Sequence, residues 1–362
     1  MKQLKDFEPQ IRKCSKCGIC QANCPIYEIT GNDCTVSRGQ FAMLEGYLNG
    51  KFELTKTINH YLDLCLKCGA CVNSCPSGIN AVDILISAKA EYLKKHPLEK
   101  FKTFIQKYFV FGLIPNLIRI FTRTTKSKVF EKKILYFGGC ASKLKGDNAI
   151  IKILNSLNIE VINPQFNCCG IPYFTRGDLD EFNNSIKNYL EIIKKYDIIE
   201  VITTCASCEK SLNDYLKWVD KNTSDEDINL LKKVKVKNIY KYLHENECKL
   251  KLSNKLKVTY HKPCNINNFN DIEWVLNSIE NLEYIEMDDF DKCCGLNGLS
   301  KIKDYKIMLN IFKSKINNIQ KSKANIVTTS CLGCELALKS YSFGKYKVMD
   351  LIEFISKYVS EK

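Results

Sequence analysis

The sequence predicts an α+β multidomain chain: a helical N-terminal module followed by two tandem α/β units. Three observations carry that expectation. Of the 20 cysteines, eight fall in two runs near the N-terminus, Cys14-x-x-Cys17-x-x-Cys20-x-x-x-Cys24-Pro25 and Cys65-x-x-Cys68-x-x-Cys71-x-x-x-Cys75-Pro76. Ten more recur beyond residue 130 in two copies of one pattern. The length, 362 residues, exceeds that of a single typical domain.

Each N-terminal run has the ligand spacing of a bacterial-type [4Fe–4S] site, in which three close thiolates hold one cubane and the fourth Cys reaches across to the other. A cubane offers iron corners a few ångströms apart, so three ligands must converge from one tight loop. The three-residue step to the fourth Cys, followed by Pro, sends that thiolate toward the partner cluster. The crossing rule expects Cys14, Cys17, Cys20 and Cys75 around one cluster and Cys65, Cys68, Cys71 and Cys24 around the other. Zinc also uses C-x-x-C pairs, but a four-ligand zinc site has no use for a doubled run ending in Cys-Pro. Disulfides are disfavoured by the local geometry and by the absence of a secretory signal at the start of the chain.

The stretch from Thr35 to Leu64 between the runs reads as helical, with apolar residues at helical intervals (Phe41, Leu44, Tyr47, Leu48; Ile58, Tyr61, Leu62). Ala81 to Lys95 is a further helix. The module is therefore expected to be an α-helical dicluster ferredoxin and not the compact β-hairpin type.

A hydrophobic fraction of 45% indicates a globular chain. No stretch approaches the apolar length that spans a bilayer, so the chain is expected to be cytoplasmic, soluble or peripheral at the inner face of the membrane. The formal charge of +14 counts every Cys as neutral; two [4Fe–4S]²⁺ sites with four thiolates each bring it to roughly +10. It is no argument for nucleic acid. Positive charge concentrates between Pro97 and Lys133, where Lys100, Lys102, Lys107, Arg119, Arg123, Lys126, Lys128, Lys132 and Lys133 face only Glu99 and Glu131. Aromatic and aliphatic residues interleave with them around Gly112 and Pro115. Such a basic amphipathic segment suits either an interdomain linker or an anionic membrane surface near a quinone pool.

Beyond residue 130 the chain repeats itself. The first copy has Ile134-Leu-Tyr-Phe-Gly-Gly-Cys140, Cys168-Cys169-Gly170 and Val201-Ile-Thr-Thr-Cys205-Ala-Ser-Cys208. The second has Val258-Thr-Tyr-His-Lys-Pro-Cys264, Cys293-Cys294-Gly295 and Ile326-Val-Thr-Thr-Ser-Cys331-Leu-Gly-Cys334. Corresponding cysteines are offset by 124 to 126 residues (140 to 264, 168 to 293, 205 to 331). Each copy reads strand, helix, Cys-Cys-Gly turn, longer helix, strand, C-x-x-C, helix. That alternation predicts a largely parallel sheet, with Cys140, Cys205, Cys264 and Cys331 beyond the carboxyl ends of its strands. Gly170, Gly295 and the Gly138-Gly139 pair read as turn residues needing positive φ or close approach. No Gly-rich phosphate loop follows a strand, so neither FAD nor NAD is expected on the chain itself.

These motifs resemble those of iron–sulfur subunits that carry two cysteine-rich CCG domains, such as the glycolate oxidase iron–sulfur subunit, the lactate-utilisation iron–sulfur protein, the third subunit of anaerobic glycerol-3-phosphate dehydrogenase and the cysteine-rich heterodisulfide reductase subunits. The resemblance covers nearly the whole chain. It implies domains at 1–96 (dicluster ferredoxin), 97–131 (basic linker), 132–250 and 251–362 (CCG domains). It also implies that a complete five-cysteine set holds a non-cubane [4Fe–4S] cluster, here Cys140, Cys168, Cys169, Cys205 and Cys208 in one repeat and Cys264, Cys293, Cys294, Cys331 and Cys334 in the other. One or two such clusters would then join the two cubanes, with zinc or bare thiols as the alternative in either repeat. Glycolate-oxidase-type subunits commonly lack the first Cys of a C-x-x-C pair, whereas both pairs are complete here.

The function this implies is electron transfer: a separate FAD-binding 2-hydroxy-acid dehydrogenase subunit oxidises glycolate or lactate, and this chain passes the electrons toward quinone or another acceptor. The alternative is a heterodisulfide-reductase-like catalytic subunit that reduces a disulfide at a non-cubane cluster. Cys34 and Cys248 sit in no metal-spaced pattern and read as ordinary thiols. His261, in His-x-Pro-Cys, reads either as a proton source or as a structural hydrogen bonder. Arg38, in an Arg-Gly pair common in the family, would tune a cluster by its charge or cap a helix.

Overall fold

The computed structural model describes residues 2–100, 126–141, 147–164, 166, 168–248, 250–266, 268–296, 305–342 and 344–361. Most of the basic segment expected as a linker, residues 101–125, lies outside them. The chain forms two compact units, one of Met1–Phe104, Ile171–Phe182 and Lys292–Lys315, the other of Ile105–Gly170, Asn183–Asp291 and Ile316–Lys362.

The first unit is built on the helices Ser37–Leu48, Lys56–Leu64 and Ala81–Lys95. The continuous helical reading of 35–64 resolves into two helices, because the first ends at Asn49 and Gly50 turns left-handed at φ 70°. The second starts where the Thr55 hydroxyl accepts from the Ile58 amide, and the third where the Asn80 side chain accepts from the Asp83 amide. Phe41, Leu44, Ile58, Leu62, Ile84 and Leu85 are buried together with Leu4, Phe7 and Ile11 from the N-terminal turns. Lys89 is buried too, and its ammonium meets Asp63 Oδ1 at 2.6 Å. Removing Asp63 would leave the buried Lys89 ammonium without its carboxylate, at a cost of about 3–5 kcal/mol.

The second unit holds two sheets of the same topology. In the first, β1 (Lys132–Tyr136), β2 (Ile159–Ile162), β3 (Glu200–Thr203) and β4 (Lys235–Asn238) lie parallel in the order β2-β1-β3-β4. In the second, β5 (Leu250–Tyr260), β6 (Ile279–Tyr284), β7 (Ile326–Thr329) and β8 (Lys347–Asp350) lie parallel in the order β6-β5-β7-β8. A short β9 (Val359–Glu361) runs antiparallel to the first residues of β5. The central strands β3 and β7 are almost wholly buried and, apart from Glu200 at the start of β3, read as apolar or Thr runs, as a parallel sheet covered on both faces requires. The edge strands β4 (KVKN) and β6 (IENLEY) are half exposed, and their Lys, Asn and Glu residues hide them from the sequence pattern.

The repeats pack reciprocally. Helix Asn148–Ser156 of the first lies against Leu351–Tyr358 of the second, and Ile239–Glu245 of the first against Asn270–Ser278 of the second. In each pairing the helix entered from a repeat's first strand meets the helix that follows the other repeat's last parallel strand, an arrangement with two-fold character. One apolar core results, with Ile134, Ile150, Leu154 and Tyr240 from one repeat and Val258, Leu276, Leu351 and Phe354 from the other.

Candidate metal centres

In the first unit the eight N-terminal cysteines line two neighbouring cavities. Cys14, Cys17, Cys20 and Cys75 line one, and Cys24, Cys65, Cys68 and Cys71 line the other, with Cys71 also reaching the first. Each loop donates its fourth Cys to the other loop's cavity. The two loops are built alike: Lys16 and Lys67 have φ of 57° and 53°, Gly18 and Gly69 have φ of 89° and 78°, and one turn of helix follows each glycine. These left-handed steps fold the three near cysteines inward. Cys24 then caps the helix that Pro25 opens, its sulfur accepting from the Tyr27 amide at 3.5 Å.

Ser37 lines both cavities, and its hydroxyl donates to Cys71 Sγ at 3.2 Å. The next backbone amide, that of Arg38, donates to the Cys20 sulfur. The Arg38 guanidinium pairs with Asp33 at 2.7 Å, and Val36 occupies the N-cap without a side-chain bond, so Arg38 does not cap the helix. Burial, reinforced by the nearby Cys65 charge, pushes the Cys71 thiol up to about 12. Burial likewise raises Cys24 and Cys20. These thiols are therefore protonated in the cluster-free chain, and a metal that binds them must displace their protons. Four convergent thiols around each of two adjoining cavities fit a pair of cubanes.

In the second unit Cys140, Cys205, Cys264 and Cys331 follow β1, β3, β5 and β7 at the carboxyl ends of their strands. The helices after the C-x-x-C pairs begin earlier than the pattern suggests. They run Ala206–Trp218 and Leu332–Ser342, so Cys208 and Cys334 lie in the first turn of a helix instead of ahead of it. The first five-cysteine set is brought together: Cys168 hydrogen-bonds with Cys140 and Cys169, and Cys208 with Cys169 and Cys205. The Cys169 carbonyl is held by Ser211 Oγ at 2.6 Å and the Tyr215 hydroxyl at 3.0 Å. From Cys205 the contacts continue into the second repeat. Cys331 lies well below an ordinary thiol because Cys205 first, then Cys334, donate to its sulfur, which outweighs burial.

The second set is divided between the units. Cys264, Cys331 and Cys334 belong to the unit with the sheets, and Cys293 and Cys294 to the other. Gly295 takes φ 84°, like Gly170 at 81°, and its amide donates to Cys293 Sγ at 3.4 Å. Both glycines of the Cys-Cys-Gly turns thus occupy the left-handed conformation their position calls for.

The repeat extends past the cysteines. The Tyr136 hydroxyl meets Thr204 Oγ1 at 3.3 Å, and its counterpart Tyr260 meets Ser330 Oγ at 2.7 Å. His261 stands where the first repeat has Phe137: both backbone amides donate to the neighbouring strand at 2.8 Å, to Thr328 and Ile202 respectively. The His261 carbonyl also accepts from Thr329 Oγ1 at 3.0 Å. Cys248 packs against the shared core, and Cys34 sits in a turn capped by Asn32. Ser37, Ser207 and the Tyr136/Tyr260 pair were not singled out by the sequence pattern. Only the tyrosines left a signal in it, their offset of 124 residues (136 to 260).

Among the described residues no helix is long and apolar enough to cross a membrane. A family profile for a 4Fe-4S dicluster domain matches residues 10–79, and one for a cysteine-rich (CCG) domain matches residues 134–213 and 258–339. The chain is 25% identical to the probable glycolate oxidase iron–sulfur subunit of Bacillus subtilis, over 92% of this chain and 89% of that one. It is 24% identical to one component of the dihydromethanophenazine:CoB–CoM heterodisulfide reductase of Methanosarcina acetivorans, over 90% and 88%. Its identity to one component of the fumarate reductase (CoM/CoB) of Methanothermobacter marburgensis is 26%, over 97% and 73%. Among solved structures, a hypothetical protein from Helicobacter pylori has the same fold, with a TM-score of 0.57 at 15% identity over 99% of this chain and 76% of that one.

Proposed function

Because the chain belongs to the iron–sulfur family that joins a 4Fe-4S dicluster domain to two cysteine-rich CCG domains, we propose that it is the electron-transfer subunit of a flavin-dependent 2-hydroxy-acid dehydrogenase, with glycolate or lactate as substrate of the complex. An FAD-binding partner subunit would supply the electrons, and quinone or another acceptor would take them. The observation that carries this reading is the pair of adjoining four-thiol cavities in the first unit. [4Fe–4S] clusters, when bound, supply one-electron redox capacity. The chain's own part is to hold them side by side and to set their surroundings. Cys14, Cys17, Cys20 and Cys75 would ligate one, and Cys24, Cys65, Cys68 and Cys71 the other. In the repeats Cys140, Cys168, Cys169, Cys205 and Cys208 form the candidate set for a non-cubane cluster, with Cys264, Cys293, Cys294, Cys331 and Cys334 as its counterpart. The domains proposed are 1–96, 132–250 and 251–362, joined by a basic segment at 97–131. Contact of 97–133 with the inner face of the membrane belongs to the same proposal.

One observation favours a second reading. Both C-x-x-C pairs are complete, and the Cys205 thiol of one is coupled to the Cys331 thiol of the other. This suits a catalytic subunit that reduces a disulfide at a cluster. The two readings separate in one experiment. The loaded chain is mixed anaerobically with a flavin-binding 2-hydroxy-acid dehydrogenase and its substrate, and separately given a disulfide and a chemical reductant. Cluster bleaching that requires the flavoprotein supports the first reading; disulfide turnover by the chain alone supports the second and overturns the first.

A further inference from the structure

We infer that the two cluster sites of the first unit are electrostatically unequal, and that Lys67 and Ser37 make the site of Cys24, Cys65, Cys68 and Cys71 the one on which an electron rests. The inference depends on the electron-transfer reading and adds a direction to it.

The two loops share the pattern Cys-x-Lys-Cys-Gly, which places Lys16 and Lys67 at equivalent positions with the same left-handed backbone. Their surroundings are opposite. The Lys16 side chain is 52% exposed, and its ammonium pairs with Glu45 Oε2 at 3.0 Å. Lys67 is only 8% exposed, and its ammonium donates to the Leu62 carbonyl at 2.6 Å, a neutral partner. One loop therefore has its positive charge screened by solvent and cancelled by a carboxylate, while the other keeps a buried charge on a residue that lines the second cavity. The other cation lining the first cavity, Arg38, is paired with Asp33. Ser37 adds to the difference, since its buried hydroxyl donates to Cys71 of the second site.

Adding one electron makes a cluster one charge more negative. A buried ammonium and a donor to a ligand sulfur stabilise that state more than a solvated ion pair does, and so raise the reduction potential. Transfer from the first site to the second oxidises one by one electron and reduces the other by one, with no bond made and no proton moved.

The test is an EPR-monitored redox titration of the full, cluster-loaded chain, in which the two sites give two midpoints. Lys67→Gln and Ser37→Ala are each expected to shift the upper midpoint to more negative potential and leave the lower one in place. Lys67→Arg restores the upper value, and Lys16→Gln moves neither. If Lys67→Gln costs the protein iron, Ser37→Ala decides alone. The inference is overturned if neither variant moves the upper midpoint, or if both midpoints move together. A wild-type chain with neither iron nor acid-labile sulfide would instead overturn the electron-transfer reading beneath it.

Discussion

Cys205 and Cys331 come from different cysteine-rich repeats, and their thiols are close enough for each to shift the other's proton affinity. Reciprocal helix packing makes this contact possible, and a small polar lattice surrounds it. The Ala206 amide donates to the Ser330 carbonyl at 2.8 Å, Asn265 Nδ2 donates to Ser207 Oγ at 2.9 Å, and Ser207 Oγ lies 3.3 Å from Cys331 Sγ. The first repeat's ligand set and the C-x-x-C pair of the second thus form one continuous run of thiols.

That lattice is testable through coupling. Ser207→Ala and Asn265→Ala should each lower the stability of the cluster-free chain by about 1 kcal/mol. Because the two residues share a bond, the double variant should lose less than the sum of the single losses. Thermal midpoints of the four proteins give the answer, and strict additivity would mean that Asn265 and Ser207 do not interact.

The exchange of the fourth cysteines between the loops gives a pairwise prediction. Cys17 and Cys75 line one cavity, Cys24 the other. The double variant Cys17→Ser/Cys75→Ser should therefore lose one cubane, about four irons, while Cys17→Ser/Cys24→Ser should lose about eight. Iron analysis of the two proteins reads this directly; equal losses would mean that the loops do not exchange ligands.

Gly39 explains the Arg-Gly pair better than Arg38 does. A Cβ at Gly39 would stand 2.1 Å from the backbone oxygen of Asp33. Gly39→Ala must push the Asp33–Thr35 turn off the helix, and a destabilisation of about 1–3 kcal/mol or more is expected. Chemical denaturation of the cluster-free chain measures it, and an unchanged midpoint would contradict the close approach.

Thiol burial predicts an order of alkylation in the cluster-free chain. Cys17 is exposed and should react first with iodoacetamide. Among the eight N-terminal cysteines Cys71, with its thiol raised to about 12 by burial, should react last and only as the pH climbs well above 9. The sign follows from the raised value: the fold favours the protonated thiol, so its contribution to stability is full below the ordinary value of 9.0 and is lost as pH rises through about 12. Peptide mapping after timed labelling at several pH values checks both statements.

The cysteines were legible in the sequence because metal ligation ties chemistry to spacing. Both N-terminal runs and the repeat register could be read without coordinates, and the strands β1, β3, β5 and β7 were visible because each ends in a short buried run of apolar residues or Thr. The edge strands β4 and β6 were not, since half-exposed strands carry the Lys, Asn and Glu of a loop. The break at Asn49-Gly50 was overlooked because apolar spacing resumes in register after it. Ser37 and Ser207 were illegible for a different reason: a serine that hydrogen-bonds with a sulfur far along the chain leaves no periodic trace. The unequal settings of Lys16 and Lys67 were hidden behind identical local sequence, because burial is decided by the rest of the fold.

The most direct measurement is the iron and acid-labile sulfide content of the anaerobically prepared full chain. Two cubanes require about eight of each per chain, and clusters in the repeats raise both toward about 12 to 16. Zinc in place of iron, or iron without labile sulfide, would contradict the account.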